Sequence, residues 1–396
     1  MGGIRSALSR PRSAPPRLAP ITALTGHVPA FRLAVVSALL RAVALVLGVL
    51  AVGLVLAQGA PRNDDGTFRN NYPHATTSFG DFLRWQSERS DVPEPAGGWR
   101  TPTATPDLAA LRGPAKTPSV TWIGHATVLL RLGGLNILVD PIFSARASPV
   151  AFAGPKRIAP LPIDIADLPP IDVVLITHNH YDHLDEASIR RLAATPAGSP
   201  RFVVPLGVKA WFDDIGIGRV DEVDWWQDVR VGAAAITFVP VQHWSRRNLL
   251  DRDRTLWGGW SIAAGGLRVV HLGDTGYSND LRDIGERLGP FDLALIPIGA
   301  YSPRWFMQPK HLDVDDAIQA RADLRARRAI GIHWGTFPMA DDPPDEPPKI
   351  LARERERAGL AQDAFDVMMI GETRPIEETN ETKRRPDANA AATSAR

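Results

Sequence analysis

Val173 to Asp185 reads VVLITHNHYDHLD. An unbroken apolar run of this kind is a strand buried on both faces. Here it empties into three histidines and two aspartates within eight residues, in a chain of 396 residues with ten histidines in all. A fold that buries the strand must present this cluster at one edge of a sheet. In an extended loop His178 and His180 point the same way, because side chains alternate with period two, and they can chelate one ion. Asp182 and His183 follow where the chain turns into the helical pattern DEASIRRLAA. Their side chains diverge from the first pair and can hold a second ion about 3.5–4 Å away. The chain has no cysteine, which excludes disulfides and thiolate sites. Histidine nitrogen and carboxylate oxygen without sulfur suit zinc, iron or manganese, with zinc the default.

The rest of the chain supplies partners for that strand. TWIGHATVLLRLGGLNILVDP reads as a hairpin around Gly133-Gly134, and LWGGWSIAAGGLRVVHL as a second around Gly265-Gly266. AAITFVPV, DLALIPIG and RRAIGI read as further strands; VDDAIQARADLRAR and EPPKILARERERAGL read as helices. Hairpins with interposed helices predict an α/β layered sandwich, sheets inside and helices outside. Four apolar runs finish at a metal-ligand residue: His178, His243, Asp274 and His333. Taken singly, His243 reads as a structural histidine, Asp274 in GDTGY as a turn aspartate, and His333 as a core histidine beside Trp334. The first cluster changes that weighting. Two sites with an open position need about three or four protein ligands each, and these three residues complete the number.

Composition bounds the partners. Apolar residues make up 44% and charged residues 22%, with a net charge of +1, so nothing suggests a nucleic-acid polyanion. Residues 1–30 form a basic arm, carrying Arg5, Arg10, Arg12 and Arg17, that is expected to be disordered. Residues 31–60 are expected to be a transmembrane anchor or a signal segment. From Ala42 to Ala57 no side chain is polar, a run about 24 Å long as a helix. It suits a retained anchor in which Arg41 snorkels, or a signal peptide cut near Ala57. Arginines ahead of it predict the N-terminus inside and the catalytic part exported, on the periplasmic or extracytoplasmic side. Residues 61–115 read as a lead-in that packs on the main domain, 116–373 as that domain, and 374–396 as a disordered tail without aromatics.

The HxHxDH pattern of His178, His180, Asp182 and His183, followed by His243, Asp274 and His333, resembles the metallo-β-lactamase superfamily. The resemblance implies a four-layer αββα sandwich with a binuclear metal site at one edge. His178, His180 and His243 would hold one ion, Asp182, His183 and His333 the other, and Asp274 would bridge them. WIGHATVLL, DPIFSARASPVAFAGPKR, QHWSRR, LWGGWS, GDTGY, GPFDLALIPIGAYSPRWFM and IHWGTF, between about Thr121 and Gly371, are similar to the N-acylphosphatidylethanolamine-hydrolysing phospholipase D family. This narrower likeness implies two divalent ions and attack of hydroxide on phosphorus, releasing phosphatidic acid and N-acylethanolamine. Asp182 or Asp274 would accept the water's proton. His311, in KHLDVDDA, would donate to the leaving oxygen or hold a phosphate oxygen. His125, Trp244, Arg304, Trp305 and Trp334 are expected to line the substrate site, and the expected partners are a phospholipid and a membrane. Monomer and homodimer both stay open. A lactonase or other ester hydrolase on the same fold is the alternative, and a membrane-anchored metal-binding protein without catalysis the more distant one. His271 has no place in the ligand pattern.

Overall fold

Two Gly-Gly pairs set the first hairpins. Gly133 and Gly134 both have positive φ, as do Gly265 and Gly266. That is the two-residue turn whose twist matches flanking strands, and it needs residues free of a Cβ. In this computed structural model, which describes residues 59–89, 94–115 and 117–377, the first pair closes Leu132 onto Leu135 and the second Ala264 onto Leu267.

The first sheet contains β1 (Ser119–Gly124), β2 (Thr127–Leu132), β3 (Leu135–Val139), β4 (Val173–Leu175), β5 (Arg201–Pro205) and β6 (Val220–Val223). The second contains β7 (Asp228–Val231), β8 (Ala234–Val239), β9 (Gly259–Ala264), β10 (Leu267–His271), β11 (Phe291–Pro297), β12 (Ala326–Ile332) and β13 (Phe365–Val367). A last strand, β14 (Thr373–Pro375), returns to the first sheet beside β1. The orders are β14-β1-β2-β3-β4-β5-β6 and β13-β12-β11-β10-β9-β8-β7. Both sheets are mixed: β3, β4, β5 and β6 run parallel, as do β10, β11, β12 and β13.

Period-two alternation divides the first sheet's side chains between two cores. Val128, Leu130, Ile137, Val139, Val173, Leu175 and Val203 join the apolar mass shared with the second sheet. Leu129, Leu138, Val174, Phe202 and Val204 point outward. Two short helices precede β1: α1 (Phe79–Glu88) and α2 (Leu108–Arg112). The outward layer is covered by Leu111 of α2, Ile189 and Leu192 of α3 (Glu186–Ala193) and Phe212 of α4 (Lys209–Asp214). On the far side α5 (Asp280–Arg287) contributes Leu281 and Ile284. After the short α6 (Arg304–Met307), α7 (Val314–Asp323) contributes Val314, Ala317 and Ala320, and α8 (Glu346–Arg357) contributes Leu351. The expected αββα order of layers is present.

The patterning missed or overran some elements. The α7 helix stops at Asp323, because Ala326 already starts a strand buried between β11 and β13. Helices α1, α4 and α5 were not legible. The tail expected from 374 starts too early: Arg374 and Pro375 pair with Val120 and Ser119, and Ile376 is buried. The lead-in is threaded into the core through Phe68 and braced through Trp85, whose ring stacks on Phe306 at 5.0 Å. The arm 1–30 and the apolar segment up to residue 58 lie outside the described residues. Among the described ones, no helix is long and apolar enough to cross a membrane.

Trp260 joins core to site. It is fully buried, its ring lies 4.6 Å from Phe238, and its Nε1 donates to the Ile176 carbonyl at 3.1 Å, just ahead of the histidine loop. Trp260→Ala is expected to cost about 3–5 kcal/mol, read as a lower denaturation midpoint with an unchanged slope.

Candidate metal centre

Parallel strands deliver the ligands to one edge. His178 follows β4 by three residues, His243 follows β8, Asp274 follows β10 and His333 directly follows β12. Asp185 closes the histidine loop by capping α3, accepting from the Ser188 N–H at 3.2 Å. The backbone around the site is held in a region that side chains with a Cβ avoid. His125, Asp140, Ala300 and His333 have φ of 54°, 43°, 62° and 65°, the kind of local strain that collects at functional sites.

Two groups of donor atoms result, each with its atoms within 4.8 Å of one another: His178, His180, His243 and Asp274, and His125, Asp182, His183 and His333. In the first, His180 Nδ1 lies 2.8 Å from His178 Nε2 and 3.3 Å from His243 Nε2, and Asp274 Oδ2 lies 4.0 and 3.8 Å from those two Nε2 atoms. In the second, His183 Nε2 is 3.4 Å and His333 Nε2 3.5 Å from Asp182 Oδ2. Asp274 reaches this group too, at 3.3 Å from His183 Nε2 and 3.1 Å from His333 Nε2. It thus stands between the groups, where a bridging carboxylate would sit.

The donor set fits divalent cations. Ligand atoms of a tetrahedral ion bonded at about 2.0–2.2 Å stand about 3.3–3.6 Å apart, close to most of these separations; the His178–His180 contact is tighter. The buried His183 Nε2, His333 Nε2 and Asp274 Oδ1 make no hydrogen bond among the described residues. Some lie within ion-pairing distance, yet they are out of alignment with one another. Buried polar atoms normally have a partner. Lone pairs aimed at common points rather than at each other are what a cation needs.

Outer contacts set the tautomers. Thr177 donates its N–H and hydroxyl to Asp140 at 2.8 and 2.6 Å. The hydroxyl oxygen is then free to accept from His178 Nδ1 at 3.0 Å, and Asp140 Oδ2 accepts from His183 Nδ1 at 2.8 Å. The Lys310 carbonyl accepts from His243 Nδ1 at 3.1 Å. Each contact leaves Nε2 as the ligand atom, and the Asp140–His183 pair is the carboxylate–histidine arrangement common behind metals. Asn70, from the lead-in, clamps the backbone of His243 in both directions, at 3.0 and 2.9 Å.

Charge is balanced within the centre. Burial opposes ionisation of Asp274, but His333 and His183 outweigh it and hold the carboxyl well below its usual range. Burial likewise opposes the charge of Asp182, and His183 and His125 reverse the balance. Burial opposes protonation of His333 and His183, yet Asp274 and Asp182 raise the first to about 9 and the second well above its ordinary value. Burial, with neighbouring imidazoles, drives His178 and His243 well down. Cation uptake is therefore expected to release protons from His183 and His333.

The seven expected ligands meet in one place. The expected substrate residues do not all do so. His125 is fully buried, with Nε2 2.9 Å from Asp182 Oδ2, so it belongs to the donor cluster and orients Asp182. Trp244 is half-buried against His180, ring centres 4.6 Å apart. Trp334 is buried and stacked on Trp122 at 5.2 Å, with Nε1 donating to the Gly331 carbonyl; it is core and has no face for a substrate. Arg304 is taken up by Asp313 and Asp316 at 3.1 and 2.6 Å and holds the His311 carbonyl at 2.9 Å, which makes it a brace, not a phosphate ligand. Trp305 is on the surface, 40% exposed, under the Arg84 guanidinium. His311 Nδ1 lies 3.9 Å from Asp274 Oδ2. His271 bonds the Ala126 carbonyl at 3.0 Å and the Gly273 N–H at 3.1 Å, a structural tie.

Asp140 and Asn70 were missed. Asp140 follows β3 directly, so the rule of strands ending in ligand residues extends to it; nothing in the sequence marks Asn70. Asp140→Ala is expected to weaken metal binding by about 10–100-fold with the fold intact, measured by competition with a chromogenic chelator.

The comparisons agree with this geometry. Residues 135–334 match the beta-lactamase superfamily domain. The chain is 44% identical over 229 residues to the N-acyl-phosphatidylethanolamine-hydrolyzing phospholipase D 1 of Caenorhabditis elegans, covering 55% of this chain and 64% of that relative, just under two thirds of its length. It is 32% identical over 247 residues to a metal-dependent hydrolase of Methanopyrus kandleri, covering 61% of this chain and 93% of that one. An isothiocyanate hydrolase from Delia radicum gut bacteria shares the fold, with a TM-score of 0.52 and 20% identity over 66% of this chain and 100% of its own. Fold, matched domain and converging ligands lead to one conclusion: the chain belongs to the beta-lactamase superfamily and is one of its metallohydrolases.

Proposed function

We propose that this metallohydrolase is a phosphodiesterase of phospholipase D type, acting on N-acylphosphatidylethanolamine-like lipids. The observation that carries the reading is the 44% identity, across the catalytic region, to a relative named for that reaction, with every ligand position filled. Two divalent ions, zinc first, when bound supply hydroxide near neutral pH and offset charge on phosphoryl oxygens. His178, His180 and His243 would hold one, Asp182, His183 and His333 the other, and Asp274 both.

The protein's own groups do the rest. Asp274 or Asp182, both held ionised, accepts the proton of the attacking water. The water oxygen bonds to phosphorus, the phosphorus–oxygen bond to N-acylethanolamine breaks, and the leaving oxygen takes up the proton that the carboxylate accepted. Phosphatidic acid remains. Burial pushes His311 down to about 4, so at neutral pH it is a neutral imidazole. That favours holding a phosphate oxygen through N–H over donating a proton as an acid. Trp244 presents an apolar face beside His180, the mixed character suited to a lipid head group.

A membrane partner fits the same reading. Helix α1 exposes Phe79, Phe82 and Leu83, and Trp305 is exposed nearby under Arg84 of that helix. With the apolar run before residue 58, these support a catalytic domain working at a bilayer, and the arginines ahead of that run support the exported side. The test is a substrate panel with metal-loaded protein. Release of N-acylethanolamine from vesicles, with lactones and simple esters poor, supports the proposal. Lactone opening without lipid turnover replaces it with the ester-hydrolase reading.

A further inference from the structure

The ligands differ in exposure, and the difference locates the mouth of the centre. His178, His183, His243 and His333 are buried, whereas His180 and His311 are only partly covered. His180 and His311 are therefore the least covered side of the centre. Trp244 borders His180, and Lys310 precedes His311 in the chain. The Lys310 ammonium lies 5.2 Å from the Trp244 ring centre and 4.4 Å from that of Phe306. Its own backbone carbonyl holds His243, so its position is tied to the ligand set.

Neighbouring cations are committed elsewhere. Arg304 is paired with Asp313 and Asp316. Arg247 donates to the Asn179 and Leu184 carbonyls, Arg246 to the Asn248 carbonyl, and Arg252 to Asp253. Lys310 Nζ has neither a carboxylate within ion-pairing distance nor a hydrogen-bond acceptor among the described residues, though its side chain is half-buried. A partly desolvated ammonium held only by aromatic faces keeps its three donors for something else. At the mouth of a centre that itself draws anions, that something is an anion.

We propose that Lys310 is a specificity-determining residue that draws the phosphate of the substrate into the mouth of the centre and favours anionic phosphodiesters over neutral esters. This rests on the phosphodiester reading of the same site. Trp244 and Phe306 hold the ammonium itself between their rings, so the charge is presented in one place instead of ranging over the surface. Lys310 acts on binding more than on the chemical step, since it belongs to the rim and not to the donor cluster.

The test is calorimetric titration of inorganic phosphate into the metal-loaded full-length chain, at low and high salt, for wild type, Lys310→Gln and Lys310→Arg. A charge-assisted contact predicts a dissociation constant raised about tenfold in Lys310→Gln. It also predicts a weaker salt dependence in that variant, metal content unchanged, and Lys310→Arg close to wild type. Phosphate affinity in Lys310→Gln equal to wild type, or no phosphate binding by wild type, overturns the proposal. Lipid turnover assayed in parallel separates the two readings. Lys310-dependent phosphate binding without lipid cleavage removes the phospholipase reading and leaves this one. Lipid cleavage with the same KM in Lys310→Gln and wild type removes this one alone.

Discussion

Asp274→Ala is expected to reduce hydrolysis by about a thousandfold or more and to strip metal from both halves of the centre. The reason is position. One carboxylate lies within 4.0 Å of His178, 3.8 Å of His243, 3.3 Å of His183 and 3.1 Å of His333, so this single side chain serves both groups. The fold should survive. Without that carboxylate His183 and His333 lose one of the charges that raise them, and Asp182, with Asp140 beside His183, remains to balance a proton kept there. Elemental analysis and far-UV circular dichroism check the two halves of this statement. A variant that keeps wild-type metal content and a sizeable share of activity would show that Asp274 is not shared.

His311→Ala is expected to lower kcat by about 10²–10³-fold, the usual effect of removing one preorganised donor, and to leave metal content unchanged. The contrast with Asp274→Ala is the informative part, because His311 stands beside the donor set without belonging to either group. A neutral imidazole acts here through one N–H, so His311→Asn should recover part of the loss; a residue needed as a proton donor would not be rescued by an amide. Arg304 enters through His311, whose carbonyl it holds.

The part of the fold that was legible came from periodicity and from ends. Apolar runs on either side of a Gly-Gly pair gave the hairpins at Gly133-Gly134 and Gly265-Gly266, and the runs that stop at His178, His243, Asp274 and His333 gave the centre. Both are local signals, and the sheets merely bring them together. What was not legible depended on contacts across the chain. Asn70 reaches His243 over 173 positions, and no property of an NNYP stretch foretells it. Arg304 and Trp334 were misplaced because nearness in sequence to a ligand was taken for nearness to substrate. Arg304 meets Asp313 and Asp316 on the neighbouring helix first, and the Trp334 side chain turns into the core onto Trp122. His125 was put on the substrate side because a lone histidine after a strand carries no mark of which way its backbone turns. Its positive φ is what sends it into the donor cluster.

If the seven converging side chains hold the metal that drives hydrolysis, activity must follow metal occupancy. The most direct measurement is a titration of the metal-free chain with zinc, following release of N-acylethanolamine from vesicles of N-acylphosphatidylethanolamine. No release is expected without metal, and added zinc should give a rise that saturates near about two ions per chain; that rise should be lost in Asp274→Ala. Equal release with a chelator present and without it would show that metal does not drive hydrolysis.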